Sequence, residues 1–142
     1  MVQAFDDLFL VRRHGKSVFL ADCGIAAHLG ASQSPDSLSA MEGFVYLELY
    51  AQLTYGQLFR RRFTPYTTRG GIRIPFIIEI AGKATIAIMV DQSEGASEKS
   101  VKSLGRFAKT RHEPCLSIVL HAGEKAYTSN SGALCVPWTW VA

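Results

Sequence analysis

Residues 70–93, GGIRIPFIIEIAGKATIAIMVDQS, contain two apolar runs separated by a short turn, and they decide the fold. Both runs are rich in β-branched side chains, which predicts strands at 72–80 and 84–91. The few residues between them, around Gly82, predict that the two strands form a β-hairpin. Pro75 lies inside the first strand, where it has no N–H group to donate to the ladder.

The length of the turn sets the cross-strand pairing of this hairpin. With the turn at residues 81–83, Pro75 lies opposite Met89 and Arg73 lies opposite Asp91. This register predicts an ion pair between Arg73 and Asp91 on one face of the sheet. Such a pair contributes about 0.2–1 kcal/mol at an exposed position, enough to support the register but not to define a catalytic site.

The sequence on both sides of the hairpin predicts alternating helices and strands in a single domain, residues 1–142. Apolar periodicity and capping residues place them as follows: a buried strand at 17–21, a short helix at 22–30, a helix at about 37–54, an edge strand at 58–68, a helix at 97–111 capped by Ser97, a buried strand in CLSIVLHA, and short strands in EKAYTS and ALCVPWTW. This order predicts the α/β class, with a mixed sheet flanked by helices.

Length and composition limit the kinds of protein this chain can be. Its 142 residues are 48% apolar and 19% charged, which suits one globular core. The formal net charge of +3 is too small by itself to indicate a nucleic-acid-binding protein. Acids near the N-terminus, and no apolar run long enough to span a membrane, predict a cytoplasmic protein without membrane contact.

The cysteines and histidines lack the spacing of metal ligands. Each cysteine lies in an apolar context, which predicts reduced thiols in the core: Cys23, Cys115 and Cys135. The histidines are predicted to lie at the surface or at helix caps: His14, His28, His112 and His121.

Five stretches of the chain resemble one family, in the same order along the sequence: SVFLADCGIAAHLG, MEGFVYLEL, TRGGIRIPFIIEIAGKATIAIMVD, SEKSVKSLGRF, and SIVLHAG followed by ALCVPW. From about residue 16 onwards the chain is similar to the C-terminal domain of unknown function attached to many bacterial and archaeal AAA-type ATPases. That resemblance implies a restriction-endonuclease-like fold. The chain has no GxxxxGK[ST] phosphate loop, so the ATPase half of those proteins has no counterpart here.

The resemblance also implies a degenerate catalytic signature of the PD-(D/E)xK type. Family members with an intact signature have an aspartate on the second strand and a Glu-x-Lys sequence on the third, and the acids bind a divalent cation. Pro75, Met89 and Asp91 stand at those positions here, and Arg73 stands where the family commonly has an acid. The resemblance therefore implies a vestigial site without a cofactor, in a non-catalytic domain that acts by binding.

A relocated Mg²⁺ site is the enzymatic alternative, with Asp91 and Glu42 as ligands and Glu79 as a further candidate. Glu42 matches an acid on the family's helix. The residue chemistry alone favours a simpler role for it, an acid in the first helical turn that complements the helix dipole. For Glu79 the simpler role is that of a solvated residue near the turn.

Two groups of basic residues provide a third alternative, weak binding of nucleic acid without cleavage. They are a cluster, Arg60, Arg61 and Arg62, and a helical stripe, Lys99, Lys102, Arg106 and Lys109. Aromatic residues beside the cluster are candidates to stack on bases: Phe59, Phe63 and Tyr66. Trp138 and Trp140 are predicted to alternate on a terminal strand, in the core or in a contact surface. A homodimer or a complex with a protein partner is then expected.

Overall fold

The computed structural model describes residues 38–56, 62–80 and 83–141. These residues form two helices, α1 (Leu38–Tyr55) and α2 (Glu98–Ala108), six strands, β1 (Arg62–Thr67), β2 (Arg73–Ile80), β3 (Ala84–Val90), β4 (Cys115–His121), β5 (Tyr127–Thr128) and β6 (Leu134–Pro137), and a 3₁₀ helix (Trp138–Trp140). The strand predicted at 17–21 and the helix predicted at 22–30 lie outside this part of the chain.

The six strands form one mixed sheet in the order β1-β2-β3-β4-β6-β5. Strands β1, β2 and β3 are antiparallel neighbours, and β5 is antiparallel to β6. Strand β4 lies parallel to both β3 and β6. The α/β class and the mixed sheet flanked by helices are therefore confirmed, and among the described strands β1, which contains Pro65, lies at the edge, as predicted.

Helix α2 connects two parallel strands and begins as the sequence predicts. The Ser97 side chain accepts a hydrogen bond from the Ser100 N–H at 3.2 Å and caps the helix. Leu104 and Phe107 are buried against the sheet, as their helical spacing requires. The helix brings the chain back to the start of β4, which is how adjacent parallel strands are joined.

The terminal residues differ from the prediction. The tryptophans do not continue strand β6, because the chain turns after Pro137 into the 3₁₀ helix, where the Val141 N–H donates to the Trp138 carbonyl at 3.2 Å. Trp138 packs edge-on against Phe44 of α1 with ring centroids 5.4 Å apart, whereas Trp140 is exposed.

Each face of the sheet carries its own hydrophobic core. One core lies under α1 and contains Val45, Phe76 and Ile88. The other lies under α2 and contains Ile77 and Leu104, among others. The sheet is thus the middle of three layers. The face of the sheet on which a side chain lies determines whether it packs towards α1 or towards α2.

A β-bulge in β2 changes the face on which its first residues lie. Thr64 of β1 pairs with Ile77, but Tyr66 pairs with Ile74, so one residue of β1 lies opposite two residues of β2, Pro75 and Phe76. Ile74 consequently belongs to the α2 core, although Phe76, two residues later, belongs to the α1 core. The strict alternation of strand side chains is broken at this point.

Two glycines are predicted to respond oppositely to substitution by alanine. A Cβ on Gly123 would lie 2.0 Å from the Glu94 carbonyl oxygen, so Gly123→Ala should lower the free energy of unfolding by about 1–3 kcal/mol. A Cβ on Gly105, within α2, meets nothing within 4 Å, so Gly105→Ala should raise it by about 0.5–1 kcal/mol. Urea denaturation of both variants measures the sign of each change in the free energy of unfolding. Changes of the same sign in the two variants would contradict the packing described at these glycines.

Candidate functional site

The hairpin of β2 and β3 has the predicted register. Phe76 pairs with Ile88 and Ile78 pairs with Ile86, and the same register extended by one pair places Pro75 opposite Met89. Pro75 is fully buried, and Met89 packs at the margin of the α2 core. Pro75 and Met89, two of the positions that the resemblance assigns to the signature, are therefore apolar packing residues.

Arg73 forms an ion pair with Glu42 of α1. Its Nη1 donates to Glu42 Oε1 at 2.6 Å, and its Nη2 donates to Glu42 Oε2 in a bidentate arrangement. Glu42 is 4% exposed, whereas the Arg73 side chain is 36% exposed. Glu42 also lies beyond the first turn of α1, so its interpretation as a first-turn acid was wrong.

Asp91 caps helix α2. Its Oδ2 accepts a hydrogen bond from the Ser97 N–H at 2.8 Å, and its Oδ1 lies 3.3 Å from the Ser97 hydroxyl, which donates to it. A carboxylate at a helix N-terminus is stabilised by the N–H groups and by the helix dipole. Asp91 thus has a sufficient structural role at the end of β3.

The predicted ion pair between Arg73 and Asp91 was wrong, although the predicted register holds for the pairs between Phe76 and Ile80. The bulge at Pro75 places Arg73 on the α1 side of the sheet, while Asp91 reaches the α2 side. The carboxylates of Glu42 and Asp91 accordingly lie in different layers.

Glu79 lies in a separate polar cluster on the α2 side. Its carboxylate is 3.5 Å from Arg111, whose guanidinium is also 3.9 Å from Glu113 and lies over the Phe107 ring at 4.5 Å. A hydrogen bond from Thr85 is the main cause that lowers the pKa of Glu113 from its ordinary value. Glu79 is half-buried in this cluster rather than solvated, and it pairs with Thr85, at the opposite end of β3 from Asp91.

The three candidate acids therefore do not converge. Within the described ranges, 38–56, 62–80 and 83–141, no group of three or more His, Cys, Asp or Glu side chains could hold a metal ion. The relocated site made of Asp91, Glu42 and Glu79 has no common position for a cation.

The helical stripe is exposed as predicted. All four basic residues, Lys99, Lys102, Arg106 and Lys109, lie on the outer face of α2. Lys102 Nζ is 2.6 Å from the Glu98 carboxylate one turn earlier, and both side chains are mostly exposed. The stripe is a genuine cationic surface.

The basic cluster is only partly within the described residues. Arg60, Arg61 and Phe59 lie outside them, and Arg62 begins β1 opposite Glu79. Tyr66 packs on Phe107 with ring centroids 4.8 Å apart, which makes it a core contact rather than a base-stacking platform. The aromatic part of that prediction is therefore not supported at Tyr66.

His121 is the polar residue whose environment the sequence did not predict. It is 1% exposed, its Nδ1 accepts a hydrogen bond from the Gly123 N–H at 3.1 Å, and its ring centroid is 5.6 Å from that of Tyr127. Since Nδ1 accepts, the proton of the neutral ring is on Nε2, which has no hydrogen-bond partner in the described part of the chain. Its prediction as a surface or capping residue was wrong, and the available signal was its place in CLSIVLHA, the segment predicted to be a buried strand.

The two described cysteines fit their predicted role. Cys135 is buried and Cys115 is half-buried, and neither is in a disulfide. Burial raises the pKa of both thiols, so they remain protonated at neutral pH. His112 is exposed, as predicted, while Cys23, His14 and His28 lie outside the described residues.

No protein-family model, curated protein or solved structure matches this chain. Between residues 38 and 141, in the ranges that the structure describes, no helix has the length and apolar character needed to cross a membrane.

Arg73→Met is predicted to destabilise the fold because it leaves the Glu42 carboxylate buried without its partner. The expected loss is about 3 kcal/mol of unfolding free energy, the lower end for a broken buried pair, since Arg73 is only partly buried. Lys102→Met, which removes an exposed pair, should cost well under about 1 kcal/mol. In the double variant Glu42→Gln/Arg73→Met, recovery of most of the loss is expected by denaturation. A loss that persists undiminished would show that packing, not charge, is responsible.

Nucleic-acid binding, if measured, is predicted to be weak and strongly dependent on salt. Phosphate contacts by the stripe release counterions, at about 0.7 ion per contact on a single strand. Fluorescence anisotropy with a labelled oligonucleotide should show affinity falling steeply between low and physiological salt. Sequence-specific binding that persists at high salt would be inconsistent with the stripe as its source.

Proposed function

We propose that this chain is a restriction-endonuclease-like domain that has no metal-dependent nuclease activity and acts by binding another macromolecule. The mixed sheet flanked by helices is the architecture that the family resemblance implies. The observation that carries the proposal is the separation of the two acids best placed to bind a cation. Glu42 is paired with Arg73 in one layer, and Asp91 caps α2 in the other.

The side chains at the remaining signature positions also support this proposal. Pro75 has no group that can ligate a cation, and Met89 packs in the α2 core. A guanidinium already neutralises the buried Glu42 carboxylate, so a divalent cation there would have to displace a bidentate partner. A nuclease reaction at this hairpin would need the Arg73–Glu42 pair, the bulge and the α2 cap to rearrange together.

The form of binding is either a homodimer or a complex with a protein partner. Static light scattering of the purified chain over a wide micromolar range distinguishes them. A mass that rises to twice the monomer mass supports self-association, and a constant monomer mass supports a separate partner.

The domain is predicted not to cleave DNA or RNA in Mg²⁺ or Mn²⁺. Plasmid DNA, single-stranded DNA and RNA should each survive incubation with the purified chain, beside an active nuclease in the same buffer. Cleavage that co-purifies with the chain and is lost in Asp91→Asn would contradict the proposal. That substitution is preferable to alanine because the amide oxygen still accepts the Ser97 N–H and preserves the cap of α2.

A further inference from the structure

The outer face of α2 is a cationic surface with a defined length. The spacing of Lys99, Lys102, Arg106 and Lys109 by three, four and three residues aligns them along one side of the helix. From the first to the last the stripe extends about 15 Å, close to three helical turns. A partner that matches the stripe must therefore present negative charge over a similar length.

Most of this charge is not compensated by the protein itself. Of the four residues of the stripe, only Lys102 has an ion pair within the described part of the chain, with Glu98, and the two side chains are 64% and 81% exposed. An exposed pair of this kind exchanges readily for a better partner. Lys99, Arg106 and Lys109 have no ion pair in that part of the chain.

Beside the stripe, the residues on the surface of α2 have small side chains. Gly105 lies next to Lys102 and Lys109 on the outer face, and a Cβ there would meet nothing within 4 Å. Val101 and Ala108, on the other side of Gly105, are small and half-buried. Glycine is unfavourable within a helix compared with alanine, and here it leaves room for a second backbone to approach α2 closely.

The surroundings of the stripe fit an acidic protein helix better than nucleic acid. The four cations of the stripe can make fewer phosphate contacts than the about 6–10 of a DNA-binding protein whose affinity depends steeply on salt. The next cation along the chain, Arg111, is already engaged by Glu79 and Glu113, and the Tyr66 ring packs on Phe107. A helix with carboxylates spaced by three and four residues matches both the length and the charge of the stripe.

We propose that the outer face of α2 docks an acidic amphipathic helix of a protein partner. The partner's carboxylates meet the stripe, and its backbone crosses α2 at Gly105, over Val101 and Ala108. This inference rests on the proposed function, because it names the class of partner for a domain that acts by binding.

The test is fluorescence anisotropy of the full chain with three labelled probes at about 0.15 M salt, where long-range attraction between exposed charges is screened. The first is a synthetic helical peptide of about 18 residues with glutamates spaced three, four and three along one side and small apolar residues beside them. The second has the same composition with the glutamates distributed around the helix. The third is an oligothymidylate of similar charge. The first peptide is expected to bind about tenfold more tightly than either of the others, the gain that a few surface ion pairs supply.

Variants of the chain locate the contact. Lys102→Glu/Arg106→Glu should abolish binding of the matched peptide, whereas Lys83→Glu/Lys125→Glu, at exposed lysines outside α2 in the segments before β3 and β5, should preserve it. Gly105→Met should weaken binding several-fold while the circular dichroism spectrum and the thermal midpoint show a folded protein. Equal binding of the two peptides, tighter binding of the oligonucleotide, or no binding of the matched peptide would each overturn the inference. The nuclease assay does not measure peptide binding. None of these three outcomes would therefore contradict the proposal that the domain has no nuclease activity, which the nuclease assay tests separately.

Discussion

One extra residue in strand β2 determines which side chains can meet in this domain. Pro75 and Phe76 together occupy the space opposite a single residue of β1, so the side chains before and after them follow different alternations. Without the bulge, Arg73 would lie on the α2 side with Asp91. With it, Arg73 reaches α1 and forms a bidentate pair with Glu42. The layer in which each charge is neutralised therefore follows from the backbone of one strand.

The Glu42 and Asp91 carboxylates are stabilised by different structural contacts. A buried carboxylate is costly unless it is paired and hydrogen-bonded, and Arg73 supplies both to Glu42. The charge of Asp91 is stabilised differently, by a hydrogen bond from the Ser97 N–H group and by the dipole at the N-terminus of α2. Each acid therefore has hydrogen-bond partners from the protein itself.

Much of the fold followed from the sequence because its signals are local. The turn between β2 and β3 fixes their register, helical spacing identifies α1 and α2, and Ser97 marks the start of α2. The face of the sheet on which Arg73 lies was not predicted correctly, because the side chains of β2 were assumed to alternate between the two faces without a break at Pro75. The unusual proline in mid-strand was the available signal for a bulge. His121 lies in a strand that was predicted to be buried, but the close approach of Gly123 to Glu94 beside it has no pattern in the sequence.

Proline at position 65 has a consequence for the behaviour of the sheet edge. An edge strand offers unpaired N–H and C=O groups to any other extended chain, and a regular edge is a template for aggregation. Strand β1 lacks a donor at Pro65 and carries an irregular register beside the bulge of β2. Among the described strands β1 is the last on this side of the sheet, so the residue that lacks an N–H group and the irregular register both lie at that edge. The irregularity that positions Arg73 is thus of the kind that disfavours regular pairing with a further strand.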